Sequence, residues 1–237
     1  MSKKNNKDQF EFSFESKPDA EINPSILTET VFDGKVDSVI EKPSVQMPPD
    51  NLNVVFFDLE TQNLISDFNV VNFSHLKMSI GVTYNTLHEA YNIYTEQNIQ
   101  SLIHELLVAD AIVGFNHQNF DYEVLSAYMP ALAYENLKKV KSLDMYLYLQ
   151  TELGHRISLD SVVKATLNTE KTGTGVEAVE WYRQGKIELI KEYCQNDVRV
   201  TKELYEFGCQ HGYVRYTDKH SLEMKNVPVD WKIPERN

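Results

Sequence analysis

The chain has 237 residues, 42% hydrophobic, 24% charged and 11% aromatic. Those are globular proportions and exclude a wholly disordered or fibrous chain. A net charge of −12, from 23 Lys+Arg against 35 Asp+Glu, argues against a bulk, sequence-independent DNA binder, which needs a basic face.

Residues 1–50 hold ten acids, six bases and five of the 8 prolines, with apolar residues that follow no period. This reads as a disordered arm that can carry a protein partner. The alternating Phe10, Phe12 and Phe14 are alternatively an edge strand or a partner-docking strip. The texture changes at about residue 51, where a domain over 51–216 is expected to begin. Val54-Val55-Phe56-Phe57 is a continuous apolar run leading into Asp58-Leu59-Glu60, as in a buried central strand. Strand-like segments at 78–84 and 90–94 follow, split by Asn85-Thr86, and suggest a hairpin or meander. Ile99, Leu102, Ile103, Leu106 and Leu107 form one stripe, predicting an amphipathic helix over 97–109.

Residues 111–115 read as a second short buried strand, followed by a helix starting near Asp121. Helices are expected at about 144–153, 158–167 and 176–184, and the longest at 187–208. A last strand is expected at 213–216, then a loose tail over 217–237. No apolar run reaches about 18 residues, so no membrane span is expected. The start Met1-Ser2-Lys3-Lys4 is basic, but acidic sequence follows where a signal peptide needs its apolar stretch. Cys194 and Cys209 are too few for a disulfide scaffold or a Cys-based zinc site. A reducing, cytoplasmic setting is the expectation.

Three acidic motifs stand in order. Asp58-x-Glu60 ends the apolar strand, and residues i and i+2 of a strand share a face, so both carboxylates leave the core together. Composition alone gives about one Asp-x-Glu by chance, and a second, Asp19-Ala20-Glu21, lies in the proline-rich arm with no strand before it. Asn116-His117-Gln118-Asn119-Phe120-Asp121 follows the second buried strand. Asp121 there suits an active site and equally suits a helix N-cap. Tyr193 and Asp197 are i, i+4 on the apolar face of the longest helix. A core-facing aspartate is costly unless it binds metal, is salt-bridged or meets a buried backbone donor.

Four carboxylates gathered from three segments would raise one another's pKa values, a conflict that divalent cations resolve. Oxygen-only ligands suit Mg²⁺ or Mn²⁺, and a pair of such ions suits in-line phosphoryl displacement.

Phe57-Asp58-Leu59-Glu60-Thr61, Asn116-x3-Phe120-Asp121 and Tyr193-Cys194-x2-Asp197-Val198-x2-Thr201 resemble the three motifs of the DEDD 3′–5′ exonuclease superfamily, over about residues 53–210. The tyrosine four before the last aspartate resembles its tyrosine branch; the histidine branch would need His at 192, which is Glu192. Within the branch the chain is similar to the proofreading domains of family-B DNA polymerases and to stand-alone bacterial ribonuclease H-like exonucleases. The resemblance implies an α/β ribonuclease H-like fold, a mixed β-sheet flanked by helices. It implies a two-metal-ion 3′–5′ exonuclease releasing nucleoside 5′-monophosphates from the 3′ end of DNA or RNA, single-stranded ends first.

By the same resemblance Asp58 would bridge two Mg²⁺ or Mn²⁺ ions. Glu60 and Asp197 would bind the ion that activates water, and Asp121 would hold the water shell of the second. Tyr193 would position the nucleophilic water or the scissile phosphate. Asn116, Thr61, Leu59 and Phe120 would contact the terminal nucleotide. Asp144 falls where relatives often carry a further acidic or structural aspartate and is kept out of the catalytic set. The alternative is a catalytically silent module of the same fold that holds a nucleic-acid end or a protein.

Other features carry less. The seven histidines form no zinc-ligand spacing, and Lys171-Thr172-Gly173-Thr174-Gly175 lacks the Gly-Lys-Ser/Thr of a phosphate-binding P-loop. That loop can still touch a nucleic-acid backbone. Cys194 has no histidine partner nearby and reads as packing.

Overall fold

The computed structural model describes residues 52–68, 72–169, 173–218 and 221–233. The arm over 1–50, its Phe10, Phe12, Phe14 strip and Lys171 lie outside the described residues. The first strand, β1 (Val54–Thr61), is the middle of a five-stranded sheet. β2 (Met78–Asn85) runs antiparallel beside it, and β3 (Ala90–Thr95) pairs antiparallel with β2 at one edge. On the other side β4 (Ala111–Gly114) runs parallel to β1, and β5 (Ser142–Asp144) parallel to β4. The order is β3-β2-β1-β4-β5. This is the mixed sheet of a ribonuclease H-like fold. Among the described residues seven α-helices flank it: α1 (Ile99–Leu107), α2 (Asp121–Leu125), α3 (Ala131–Leu137), α4 (Met145–Leu153), α5 (Leu159–Leu167), α6 (Gly175–Arg183) and α7 (Ile187–His211).

Both faces of the sheet are covered, which explains why β1 reads as an unbroken apolar run. Val54 and Phe56 point into a core shared with Val198, Leu204 and Tyr205 of α7 and with α4, α5 and α6. Val55, Phe57 and Leu59 point the other way, onto Leu102 and Leu106 of α1 and Val124 of α2. Strand alternation then puts Asp58 and Glu60 on the α7 side, directly after Phe56. The pairing of Phe56 with Val113 is the last between β1 and β4. β1 therefore runs on past its parallel neighbour, next to the carboxyl end of β4. A crevice at the carboxyl ends of strands is where α/β sheets take ligands.

Three segments differ from the sequence reading. β5 is only three residues long and α3 buries only Leu137 among its residues, so neither has a period to read. The segment expected to be a loose tail contains β7 (Met224–Pro228), paired antiparallel with β6 (Tyr213–Thr217) in a second, two-stranded sheet. Only Val227 of β7 is buried, so its sequence looks solvated. Beyond it Trp231, 1% exposed, packs against α7 at Gly208. A Cβ at Gly208 would stand 2.5 Å from the Trp231 ring, so only glycine permits this approach.

Candidate active site

Past the end of β4, the cleft of about 550 Å³ at the carboxyl end of β1 is lined by all nine candidates of the sequence reading: Asp58, Leu59, Glu60, Thr61, Asn116, Phe120, Asp121, Tyr193 and Asp197. Its size matches a small-molecule or nucleotide pocket. The turn after β1, with Leu64 and Ile65, lines the cleft, as does the start of α6, with Thr174, Gly175 and Val176. Arg183 at the far end of α6 donates to Asp67 at 2.6 Å and ties that turn to the helix.

The floor is acidic. Asp58, Glu60 and Asp197 each present a carboxylate oxygen, all within 4.8 Å of one another. β1 supplies two from one face, and α7, crossing that face, supplies the third. Asp197 is 4% exposed. A set of hard oxygen donors at this spacing fits a divalent cation of the Mg²⁺ or Mn²⁺ type better than zinc.

Asp121 stands slightly apart. It is 3% exposed and opens α2, whose N-cap position belongs to Phe120. Its Oδ1 accepts a 3.0 Å hydrogen bond from the backbone N–H of Leu59 on β1. The N-cap alternative is thus replaced by a tie across to the strand that bears Asp58. Burial, and after it the Asp58 charge, holds the Asp121 carboxyl well above the usual carboxylate range despite that bond. Mutual repulsion of this kind is what a bound cation relieves.

Tyr193 lies one turn before Asp197 and is hydrogen-bonded to it. Its phenol is pushed far up, by burial first and then by Asp197, Glu60 and Asp58. It stays protonated and can donate. The ring is held edge-on by Trp181 of α6, 6.0 Å away between centroids. Gly175 sits where a Cβ would be 3.9 Å from Glu60 Oε2, so the first residue of α6 reaches the acidic floor.

Two contributions were not legible in the sequence. Cys194, fully buried, places its Sγ 3.4 Å from the Asp58 carbonyl oxygen and 3.5 Å from Asp58 Oδ2, so it underlies the cluster. Burial, then Asp58, pushes the thiol well up, which keeps it a neutral weak donor. Its position three residues before Asp197 on the same helix face was the available signal. The turn at Leu64 and Ile65 carries no motif.

The family profile RNase_H_2, of the RNase_H superfamily, matches residues 55–208. That is more than half of the chain, which belongs to this superfamily. No curated protein matches it. Among solved structures, the family B DNA polymerase from the hyperthermophilic archaeon Pyrobaculum calidifontis is similar, with a TM-score of 0.52 and 16% identity. The match covers 68% of this chain and 25% of the polymerase, so this chain spans about a quarter of that protein's length. At that identity the likeness concerns the fold. No helix among the described residues is long and apolar enough to cross a membrane.

Proposed function

We propose that this member of the RNase_H superfamily is a nuclease that hydrolyses phosphodiester bonds from the 3′ end of DNA or RNA, releasing nucleoside 5′-monophosphates. The observation that carries the reading is the meeting of Asp58, Glu60 and Asp197 within 4.8 Å in one cleft with Asp121 and Tyr193. Superfamily membership supports a nuclease, and the tyrosine-branch motifs support the 3′–5′ direction.

Asp58, Glu60 and Asp197 would hold one divalent cation, and Asp58 with Asp121 would hold a second. Cations there would polarise the phosphodiester and lower the pKa of a bound water. The chain's own groups do the rest. Tyr193 keeps its proton and is hydrogen-bonded to Asp197, which fixes the phenol where it can orient a water or a phosphate oxygen. Leu59 and Phe120 give the terminal nucleoside an apolar wall, while Asn116 and Thr61 offer it hydrogen bonds. The tie from Leu59 N–H to Asp121 keeps the second carboxylate at a fixed distance from the first strand. Such fixed geometry is a large part of phosphoryl-transfer catalysis.

The test is incubation with Mg²⁺ or Mn²⁺ and 5′-end-labelled single- and double-stranded DNA and RNA. The expected result is a ladder that shortens from the 3′ end. Intact substrate that shifts on a gel would instead select the silent binding module. Products cut internally would select an endonuclease.

A further inference from the structure

We propose that Asp144 is the positioning residue of the cleft's Asn116–Asp121 wall, an inference that rests on the nuclease reading of that cleft. Asp144 is outside the cleft and outside the acidic cluster. It is 5% exposed, at the end of β5, in register with Gly114 where the chain leaves β4. Its carboxylate serves two elements at once. Oδ1 accepts from the backbone N–H of Asn116 at 2.7 Å, and Oδ2 from that of Gln118 at 3.0 Å. Oδ1 also accepts from Tyr146 and Leu147 at 3.0 and 3.3 Å, which caps α4.

The first pair controls the cleft. Asn116 has φ 68, a left-handed bend that asparagine tolerates and that still needs holding. The carbonyl of Asn116 accepts from Phe120 N–H at 3.1 Å, and that of His117 from Tyr122 N–H at 2.9 Å. Those two bonds bracket Asp121. Fixing the amides of 116 and 118 therefore fixes Asp121, and through Asp121 the bond to Leu59 on β1.

The loop is also wedged from behind. The His117 ring is buried, with Nε2 2.6 Å from Ser142 Oγ, Nδ1 3.6 Å from Asp144 Oδ2, and Tyr122 edge-on at 5.1 Å. A Cβ at Gly114 would meet His117 Nδ1 at 2.7 Å and the Phe57 carbonyl at 2.9 Å, so β4 must end in glycine for the ring to fit.

The two roles of Asp144 can be separated. Serine is a good N-cap for α4 but too short to reach both loop amides. Asparagine keeps the Oδ1 acceptor for Asn116, Tyr146 and Leu147. Asp144→Ser should therefore stay folded, with a melting temperature close to that of Asp144→Asn. Its kcat on single-stranded 3′ ends should fall about 100-fold, the cost of roughly 1 Å of misplacement in a catalytic group, with KM changed less. Asp144→Asn, which keeps the bond from Asn116 N–H but turns an Nδ2 donor toward Gln118 N–H, should recover part of that loss. Hydrogen exchange should show the amides of residues 116 and 118 unprotected in Asp144→Ser and protected in wild type. If Asp144→Ser turns over like wild type, or if those amides remain protected, Asp144 is a helix cap only and the inference is overturned. The exchange readout stands even if wild type hydrolyses no nucleic acid, a result that would remove the nuclease reading and leave the pinning of the loop to be judged by itself.

Discussion

Glu105 on one face of the sheet and the Asp58–Glu60–Asp197 cluster on the other are two ways of keeping carboxylates against the same sheet. Glu105 projects from α1 and collects neutral donors: Thr83 Oγ1 and Tyr94 OH at 2.7 Å, Asn85 Nδ2 at 3.1 Å and Asn92 Nδ2 at 3.2 Å. One charge there meets four donors from β2 and β3. In the cleft, three carboxylates face one another instead, with a fourth nearby at Asp121. A single buried charge can be balanced by dipoles, whereas a group of like charges calls for a cation. The first arrangement stabilises the fold; the second suits a reaction.

The sharpest way to break that contrast is Asp58→Ala. If the cluster is the reaction centre, this variant should lose hydrolysis by about 10³-fold or more, as when a central electrostatic group is removed from an active site. Its circular dichroism should stay native, because Asp58 is partly exposed and its loss relieves repulsion. Wild-type degradation of DNA and RNA by this variant would sink the metal assignment.

Glu105 should behave in the opposite way. Glu105→Ala strands the Thr83 hydroxyl, which is wholly buried, together with its companions, and should cost about 3 kcal/mol in urea unfolding. Glu105→Gln keeps one acceptor and should cost about 1 kcal/mol. Both should hydrolyse substrate normally wherever they are folded. A folded Glu105→Ala that lost activity would show that the two faces are not separable.

Tyr193→Phe tests the cleft more finely. The ring stays packed against Trp181 and only the hydroxyl goes. Losing one hydrogen bond to a charged group should cost about 2 kcal/mol in the transition state, roughly 30-fold in kcat. Mn²⁺ affinity measured by calorimetry should hold. A drop in affinity equal to that of Asp197→Ala would make Tyr193 part of the metal site's scaffold rather than of the chemistry.

The same contrast governs what the sequence could reveal. Asp58 and Glu60 were legible because period-two alternation ties them to Val54 and Phe56, and Asp197 because it interrupts an apolar helix face. Motif resemblance then ordered the three segments. Glu105 was not legible: its four partners come from two strands remote from its helix and nothing local marks them. Asp144 was seen as a residue but not as a pin, since its bond to Asn116 spans 28 positions and β5 is too short to show a period. β7 was hidden because four of its five residues are exposed. Local pattern reports which face a residue takes; it does not report which distant backbone group that residue will meet.

The smallest effect expected is on the stability of the metal-free protein, where two buried groups act with opposite signs. Burial, and after it the Asp58 charge, holds the folded pKa of Asp121 well above the ordinary carboxylate value of 3.8. Its contribution is full below that value and is lost as pH rises toward the raised one, so the cleft destabilises the fold at neutral pH. His117 is depressed from 6.5 to about 4, by burial first, against the pull of Asp144. Its contribution is full above 6.5 and is lost as pH falls toward 4. Only the first of these losses includes, beside the larger effect of burial, a repulsion from Asp58 that a cation can cancel. In chelator, Asp197→Asn removes one charge from beside Tyr193 and the cluster, and should melt about 2–4 °C above wild type at pH 7.5, equivalent to roughly 1 kcal/mol for a domain of this size. Wild type should gain about 1.4 kcal/mol from Mn²⁺ at tenfold excess over its dissociation constant, and the variant less. At pH 5 the benefit of both the substitution and the metal should shrink, while the His117 loss persists in each protein. A variant that melts lower than wild type in chelator, with an equal gain from Mn²⁺, would make Asp197 an ordinary structural hydrogen-bond partner, and the cleft would then resemble Glu105 more than it differs from it.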